Sequence, residues 1–500
     1  MALLLFLVAL PLLLFFLVRK YKVNGGIMHL PPGPPGLPFI GNLHQMDSST
    51  PHVCLWQLSN QYGPTMSLRL GCLHALVISS AGMAKEVLKA HDLEFSSRPS
   101  LLGPQKISYN GLDLSFAPNG EYWREMRKIC VVHLFSSKRA LSLRSIREDE
   151  VSRMIEKISK SASTVKLTNL SETMMLLTNT IICRIAFGKR YEDDEGCERS
   201  RFHGVLNETQ AMAAGFFFTD YFPFMGWWVD KFTGMIGRLE KSFKESDLFY
   251  QEIINEHLDP KRAKQEQEDI IDVLLRIKRE RLFSMDLTWD HIKAVLMDIF
   301  VAGTDTSAAT LVWAMTEVMK NPGVMKKAQE ELRSVFGKKG FVDEDDLHKL
   351  PYLKALVKET LRAHPATPLL LPRETLEKCS IDGYDIPSKT LVYVNAWAIG
   401  RDPEVWENPE EFLPGRFLGS SVDFKGQDYQ LIPFGAGRRI CPGIHLGVVT
   451  VELALANLLY SFDWEMPHGM NKDDIDMDLK PGVTMHKRND LCLQASHYIT

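Results

Sequence analysis

One stretch limits the size of any fold this chain can adopt. Thr288 is a good N-cap, apolar residues recur at helical spacing from Trp289 to about Lys320, and Asn321-Pro322-Gly323 stops them. A helix of about 32 residues is roughly 48 Å long, so the body it crosses must be about that broad. Its middle is poor helix material. "AGTDTS" (Ala302 to Ser307) holds a glycine, which weakens a helix, and threonines whose hydroxyls bond back to a carbonyl one turn earlier. Polar groups inside an apolar helix need a partner or a purpose. Two readings stay open: a tolerated kink with its threonine satisfied, or a site.

The 500 residues are 45% hydrophobic, enough for a large core, and the formal net charge of −4 leaves no basic footprint for nucleic acid. The eight cysteines are scattered, without a CxxC pair or zinc spacing, so a reducing compartment and no disulfide framework are expected. Met1 to Val18 carry no charge, and Arg19, Lys20 and Lys22 follow. That run is just long enough to span a bilayer. Its charges lie on the wrong side for a cleaved signal peptide and place the rest of the chain in the cytosol. Residues 1–20 are therefore expected to be an uncleaved, single-pass anchor, and residues 30–42 ("LPPGPPGLPFIGN") a stiff proline-rich hinge. Residues 43–500 read as one large domain, mainly α with small β-sheets. A hairpin is expected at 63–79, helices up to about Leu350, and strands within 379–400.

Two further clusters stand out. "KETLR" sets Glu359 and Arg362 three apart on one helix face in apolar surroundings, and "FLPGRF" offers Arg416 as a third member. A buried structural ion cluster is the expectation. The other is "PFGAGRRICPG" (Pro433 to Gly443), a lone cysteine among glycines and arginines. Arg438 and Arg439 are expected to lower the Cys441 thiol pKa, the glycines to permit tight backbone approach, and the helix that follows to favour an anion. Such a loop presents one thiolate, as nucleophile or as metal ligand. His445 is close in sequence as a base but has no evident orienting partner.

Phe434, Gly437, Arg439, Cys441 and Gly443 fit F-x-x-G-x-R-x-C-x-G, which resembles the haem-ligand loop of the cytochromes P-450. The resemblance runs through the chain in order: anchor and proline hinge, "WREMR" (Trp123, Arg127), "AGTDTS", "KETLR", "PGRF" and the cysteine loop. One departure is Gly415, where the family usually has glutamate. The resemblance implies that Cys441 is the axial thiolate of haem b and that Arg439, Trp123, Arg127 and Arg373 bind its propionates. It further implies that Phe434 shields the sulfur, that Asp305 and Thr306 deliver protons to dioxygen, and that Ala302 and Gly303 leave room for it. "FGKRY", "ETQA", "DYFP", "GYDIPSKT" and "NAWAIGRD" resemble plant microsomal members, with the branch that oxidises amino-acid-derived aldoximes as the nearest likeness.

By the same resemblance, substrate-lining segments are expected at Ser100–Phe116, Asn207–Phe218, Val295–Thr306 and Ala366–Leu371, with Val483 as a fifth contributor. The aromatic run Phe216 to Phe232 is either core or a membrane-touching roof. No nicotinamide or flavin fingerprint occurs, so electrons are expected from a membrane-bound NADPH-dependent reductase. Arg124, Lys128, Lys138 and Arg139 are candidates for docking it. The implied function is a monooxygenase at the endoplasmic reticulum membrane that acts with O2 on a small hydrophobic plant metabolite, an aldoxime among the options. The alternatives are a haem-thiolate isomerase or dehydratase that needs no O2, a hydroxylase of phenylpropanoids or terpenoids, and a non-enzymatic haem sensor or scaffold.

Overall fold

The computed structural model describes residues 28–164, 166–190, 197–262, 267–283 and 285–498. The expected anchor at 1–20 lies outside them. Helices dominate. Those that build the site are α1 (Glu121–Ile129), α2 (Leu170–Phe187), α3 (Met235–Leu258), α4 (Trp289–Lys320), α5 (Pro351–Ala363) and α6 (Ile444–Ser461).

Helix α4 is unbroken from Trp289 to Lys320. Its start is fixed by a capping box, in which the Thr288 side chain accepts from the His291 N–H and the His291 side chain accepts from the Thr288 N–H. Its residues are buried on nearly every side among α2, α5 and α6, within one continuous hydrophobic core. Among the described residues only α4 and α6 are long and apolar enough to cross a membrane, and both are mostly buried inside the fold.

The larger sheet joins distant parts of the chain: β1 (Thr65–Leu70), β2 (Leu73–Ile78), β3 (Arg373–Glu374) and β4 (Leu391–Val394), in the order β1-β2-β4-β3. The β1–β2 hairpin pairs Thr65 with Ile78, β2 runs parallel to β4 with Ala75 opposite Leu391, and Arg373 sits opposite Val392. Thr168–Asn169, Cys492–His497 and Phe462–Glu465 form a separate antiparallel sheet. "NAWAIG" departs from the strand expectation: Ala396–Ile399 is a helical turn, its Asn395 side chain accepting from the Ala398 N–H.

The proline hinge is docked rather than free. The Ser67 N–H donates to the Pro32 carbonyl at 2.8 Å, and the Arg69 N–H to Asn42 Oδ1 at 2.7 Å. Buried Asn42 donates in turn to the Pro34 carbonyl at 3.0 Å. A Cβ on Gly33 would lie 1.9 Å from the Ser67 oxygen, so only glycine lets the hinge lie this close to β1.

Candidate active site

The loop before α6 holds Cys441 by its backbone. The Cys441 N–H donates to the Phe434 carbonyl at 3.0 Å. Gly437 has φ +67°, and a Cβ there would meet the Leu88 carbonyl oxygen at 2.4 Å. The glycine is thus required twice, by conformation and by space. Gly443 forms the N-cap of α6. The Phe434 ring is half-buried and packs edge-on against Phe424, centroids 5.5 Å apart. Burial pushes the Cys441 thiol up, while the Gly443 N–H and the Arg127 guanidinium pull it back.

The loop's own arginines do not do this. Arg438 turns outward to pair with Asp92 at 3.0 Å. Arg439 turns inward to the carbonyls of Ser96 (2.8 Å), Leu114 (3.4 Å) and Ala117 (2.6 Å). They diverge because both lie on one tight 3-10 turn, Gly437–Arg439. The cation acting on the sulfur comes from α1, and Arg127 also donates to the Ile440 carbonyl at 2.6 Å.

Arg439 belongs to a guanidinium cluster. It stacks over the Trp123 ring at 3.9 Å, and Trp123 donates to the Leu114 carbonyl at 3.1 Å. Arg373, on β3, donates to the Ala436 carbonyl at 3.0 Å. Arg98, absent from the sequence expectations, donates to the carbonyls of Ser115 (2.8 Å), Leu371 (2.7 Å) and Pro372 (2.8 Å). Burial and then repulsion from Arg373 bring Arg439 down to about 9. Burial also lowers Arg373, to about 10, although Asp92 opposes it. For Arg98, burial acts first and repulsion from Arg439 and Arg373 adds to it. So much buried positive charge, held mainly by carbonyl dipoles and by the Asp92 carboxylate paired to Arg373 at 3.6 Å, suits a ligand bearing carboxylates of its own. With a thiolate for iron beside it, the site fits the haem that the resemblance implies.

Across from this loop, α4 presents the AGTDTS stretch. Ala302 is exposed although Ile299, Phe300, Thr304 and Asp305 around it are buried, so the helix has one open face in mid-length. Thr306 Oγ1 donates to the Ala302 carbonyl at 2.8 Å, which satisfies the hydroxyl without breaking the helix. Gly303 also lets α2 approach α4. A Cβ there would meet Ile182 Cδ1 at 2.6 Å, and Ala302 beside it is the exposed residue of the stretch. Asp305 is buried and accepts from His486 Nε2 at 2.7 Å. Burial alone would raise its carboxyl; hydrogen bonding and charge from His486, with Thr484 and Gln210, hold it below the usual range.

The five expected lining segments are linked to one another. Gly103 abuts the Met212 carbonyl, where a Cβ would lie 2.2 Å away. The Leu114 N–H donates to Asp298 at 2.6 Å. The Met485 N–H donates to the Ala366 carbonyl at 2.8 Å, and Thr484, beside Val483, bonds to Asp305. His486 had no sequence signal, and Gln210 and Asp298, though inside expected lining segments, had none for their partners, since each acts across the fold.

Glu359, Arg362 and Arg416 come together. Arg362 grips both Glu359 oxygens at 2.7 and 2.9 Å, and Arg416 Nε reaches Oε1 at 3.0 Å. Arg362 also donates to the carbonyls of Gly400 and Pro409. Of the docking candidates, Arg124, Lys128 and Lys138 are exposed, whereas Arg139 is half-buried and donates to the Glu268 carbonyl. His445 is exposed. The aromatic run is divided: Phe217 is fully buried in a small apolar cluster, whereas Phe224 is 90% and Phe232 82% exposed. It joins exposed Leu37, Phe39 and Ile40 at one turn, where the Cys72 N–H donates to Tyr221 and the Gly71 N–H to Ile40.

The family described as Cytochrome P-450 matches residues 31–493. A 6,7,8-trihydroxycoumarin synthase of Pastinaca sativa is 51% identical, and a 5-OH-xanthotoxin synthase of the same plant 52%, each over 98% of both chains. A zebra fish cytochrome P-450 solved with progesterone superposes with TM-score 0.76 at 27% identity, covering 89% of this chain and 99% of its own. These relatives correct the finer resemblance. They tie the chain to plant enzymes named for coumarin and furanocoumarin products, not to the aldoxime-oxidising branch.

Proposed function

The chain belongs to the cytochrome P-450 family, and on that premise we propose that this monooxygenase hydroxylates a flat, oxygen-bearing aromatic plant metabolite of the coumarin or furanocoumarin kind. One observation carries the substrate reading: identity just above one half, along nearly the whole chain, to two synthases named for such products.

Haem b, when bound at Cys441, would supply dioxygen activation, in which one oxygen atom enters the substrate and the other becomes water with two protons and two electrons drawn from NADPH. In this reading the residues divide the remaining work. Cys441 would be the ligand to the iron, its thiolate favoured by the Gly443 N–H and Arg127 against the burial that raises the thiol, and Phe434 would limit water at the sulfur. Arg98, Arg127, Arg373 and Arg439, with Trp123, hold the propionates. Thr306 would hold a proton at Oγ1 on the open face of α4, and the ionised Asp305 carboxylate would accept and pass on protons through His486, its hydrogen-bond partner. The lining segments exclude water and select a small apolar ligand. NADPH acts only through a membrane-bound flavoprotein reductase, for which exposed Arg124, Lys128 and Lys138 offer a cationic face. The exposed aromatic patch, with Lys231 over the Trp227 ring at 4.7 Å, rests on the endoplasmic reticulum bilayer beside the anchor.

Expression of the full chain in microsomes with a plant reductase tests this. The expected result is a coumarin or furanocoumarin product that has gained one oxygen atom from isotopically heavy dioxygen, dependent on NADPH. Turnover without NADPH and O2 would point instead to an isomerase or dehydratase. Conversion of aldoximes or terpenoids while coumarins stay untouched would overturn the substrate class.

A further inference from the structure

Two carboxyl groups sit where the segment after Asn110 meets α4, and neither the cysteine loop nor the pair Asp305–Thr306 uses them. Asp298 lies one and two turns before Ala302 and Thr306 on the same stripe of α4. Its Oδ2 accepts from the Leu114 N–H at 2.6 Å. Asp113 is fully buried, and its two oxygens accept from the Phe116 N–H at 3.0 Å. The two carboxyls are hydrogen-bonded to each other, and among the described residues neither forms an ion pair with a lysine, arginine or histidine. Two facing carboxylates cannot both stay ionised in such a place without a large repulsive cost.

We propose that Asp113 and Asp298 share one proton, and that this acid pair is a clasp holding residues 113–117 to the open face of α4. What the clasp positions matters to both halves of the site. The carbonyls of Leu114 and Ala117 are those that Trp123 and Arg439 use, and the segment itself belongs to the expected pocket lining. The surrounding groups explain why one proton is kept rather than two. Arg98 and Arg439 face the pair from the guanidinium cluster and favour one negative charge. Tyr122, Cys130 and Tyr250 close the other sides, and the Tyr250 hydroxyl is buried without a hydrogen-bond partner. Burial raises both carboxyls, Asp298 adds to the rise at Asp113, and the hydrogen bonds from Ser115 and Leu114 oppose it at Asp298. The shared proton does not depend on which substrate the enzyme takes.

The sign of the pH effect follows. In the fold the pair keeps one proton that the unfolded chain releases above about pH 4, so stability falls as pH rises from there. Asparagine at 113 donates to Asp298 at every pH and removes that slope.

Infrared difference spectra of the full-length holoenzyme at neutral pH should show a buried carboxylic acid carbonyl band that disappears in Asp113→Asn and equally in Asp298→Asn, because either amide leaves its partner ionised. No such band in the wild type, or one that persists in both variants, would overturn the shared proton. Amide exchange of residues 114–117 tests the clasp. Relative to the intrinsic rate at each pH, it should stay near wild type in Asp113→Asn, rise about tenfold or more in Asp113→Ala, and climb toward high pH in the wild type but not in Asp113→Asn. Exchange that is the same in Asp113→Asn and Asp113→Ala would overturn the positioning role. If Asp113→Ala fails to fold, the band and the pH slope of Asp113→Asn still decide.

Discussion

The two sides of the pocket are held by different kinds of bond. On the cysteine side, charged side chains point at backbone: Arg439 reaches three carbonyls, Arg98 three, and Arg127 the carbonyl next to the cysteine. On the α4 side, side chains meet side chains from far away in sequence, Asp305 with His486 and Asp113 with Asp298. Carbonyl-held guanidinia leave positive charge to spare, which suits a permanently bound dianion. Paired acids and histidine can exchange protons, which suits a place where protons must move. The first side is built to stay fixed and the second to titrate.

The sharpest break between the two sides comes from Cys441→Ser. The reduced carbon monoxide complex should lose its thiolate-type band and turnover should vanish, while Asp305 and its partners stay in place. Retention of the band would remove Cys441 as ligand. Next in size is Glu359→Ala, beneath the cysteine side. It leaves Arg362, 1% exposed, without its carboxylate, and breaking a buried pair in this way costs about 3–5 kcal/mol. Little folded haem protein should accumulate, as read from the spectrum per unit of immunoreactive chain.

Asp305→Asn probes the titrating side and should spare the fold. Loss of a group placed for proton transfer lowers kcat by roughly 100-fold, with NADPH consumption diverted away from product and substrate binding spectra nearly unchanged. Its carboxyl is held below the ordinary range in the fold. It therefore stabilises the protein above the unfolded value near pH 4, a contribution lost as pH falls through the lower folded value. The wild type should consequently lose its thermal advantage over Asp305→Asn on acidification. An advantage that instead grew toward low pH would show that Asp305 is buried neutral.

How far each side could be read from sequence follows from the same contrast. The cysteine loop is local: Gly437, Cys441 and the start of α6 lie within a few residues, so spacing alone exposes them. Helix α4 announces itself through Thr288 and the stop at Asn321–Gly323. What stays hidden is partnership across the chain. His486 lies 181 residues from Asp305, and Ala117 lies 322 from Arg439. Neither has a periodicity to betray it. Local reading also misassigned the role of Arg438, because its direction is set by Asp92, a residue of another element.

The smallest expected effect tests how the cysteine side is anchored. Gly415, where the family usually has glutamate, is exposed on the turn Pro414–Phe417, and a Cβ built there meets nothing within 4 Å. Its φ is not positive, so no strain opposes a side chain. The neighbouring Arg416 already bonds Glu359, and its remaining nitrogens reach the carbonyls of Glu407, Asn408 and Glu411. The ion cluster is therefore complete without a carboxylate at 415, and Gly415→Glu should shift stability by no more than about 0.5 kcal/mol. Thermal midpoint and carbon monoxide spectrum should both match the wild type. A clear gain in stability would mean that the triad is under-satisfied, and that the fixed side of the pocket owes its rigidity to more than buried guanidinia.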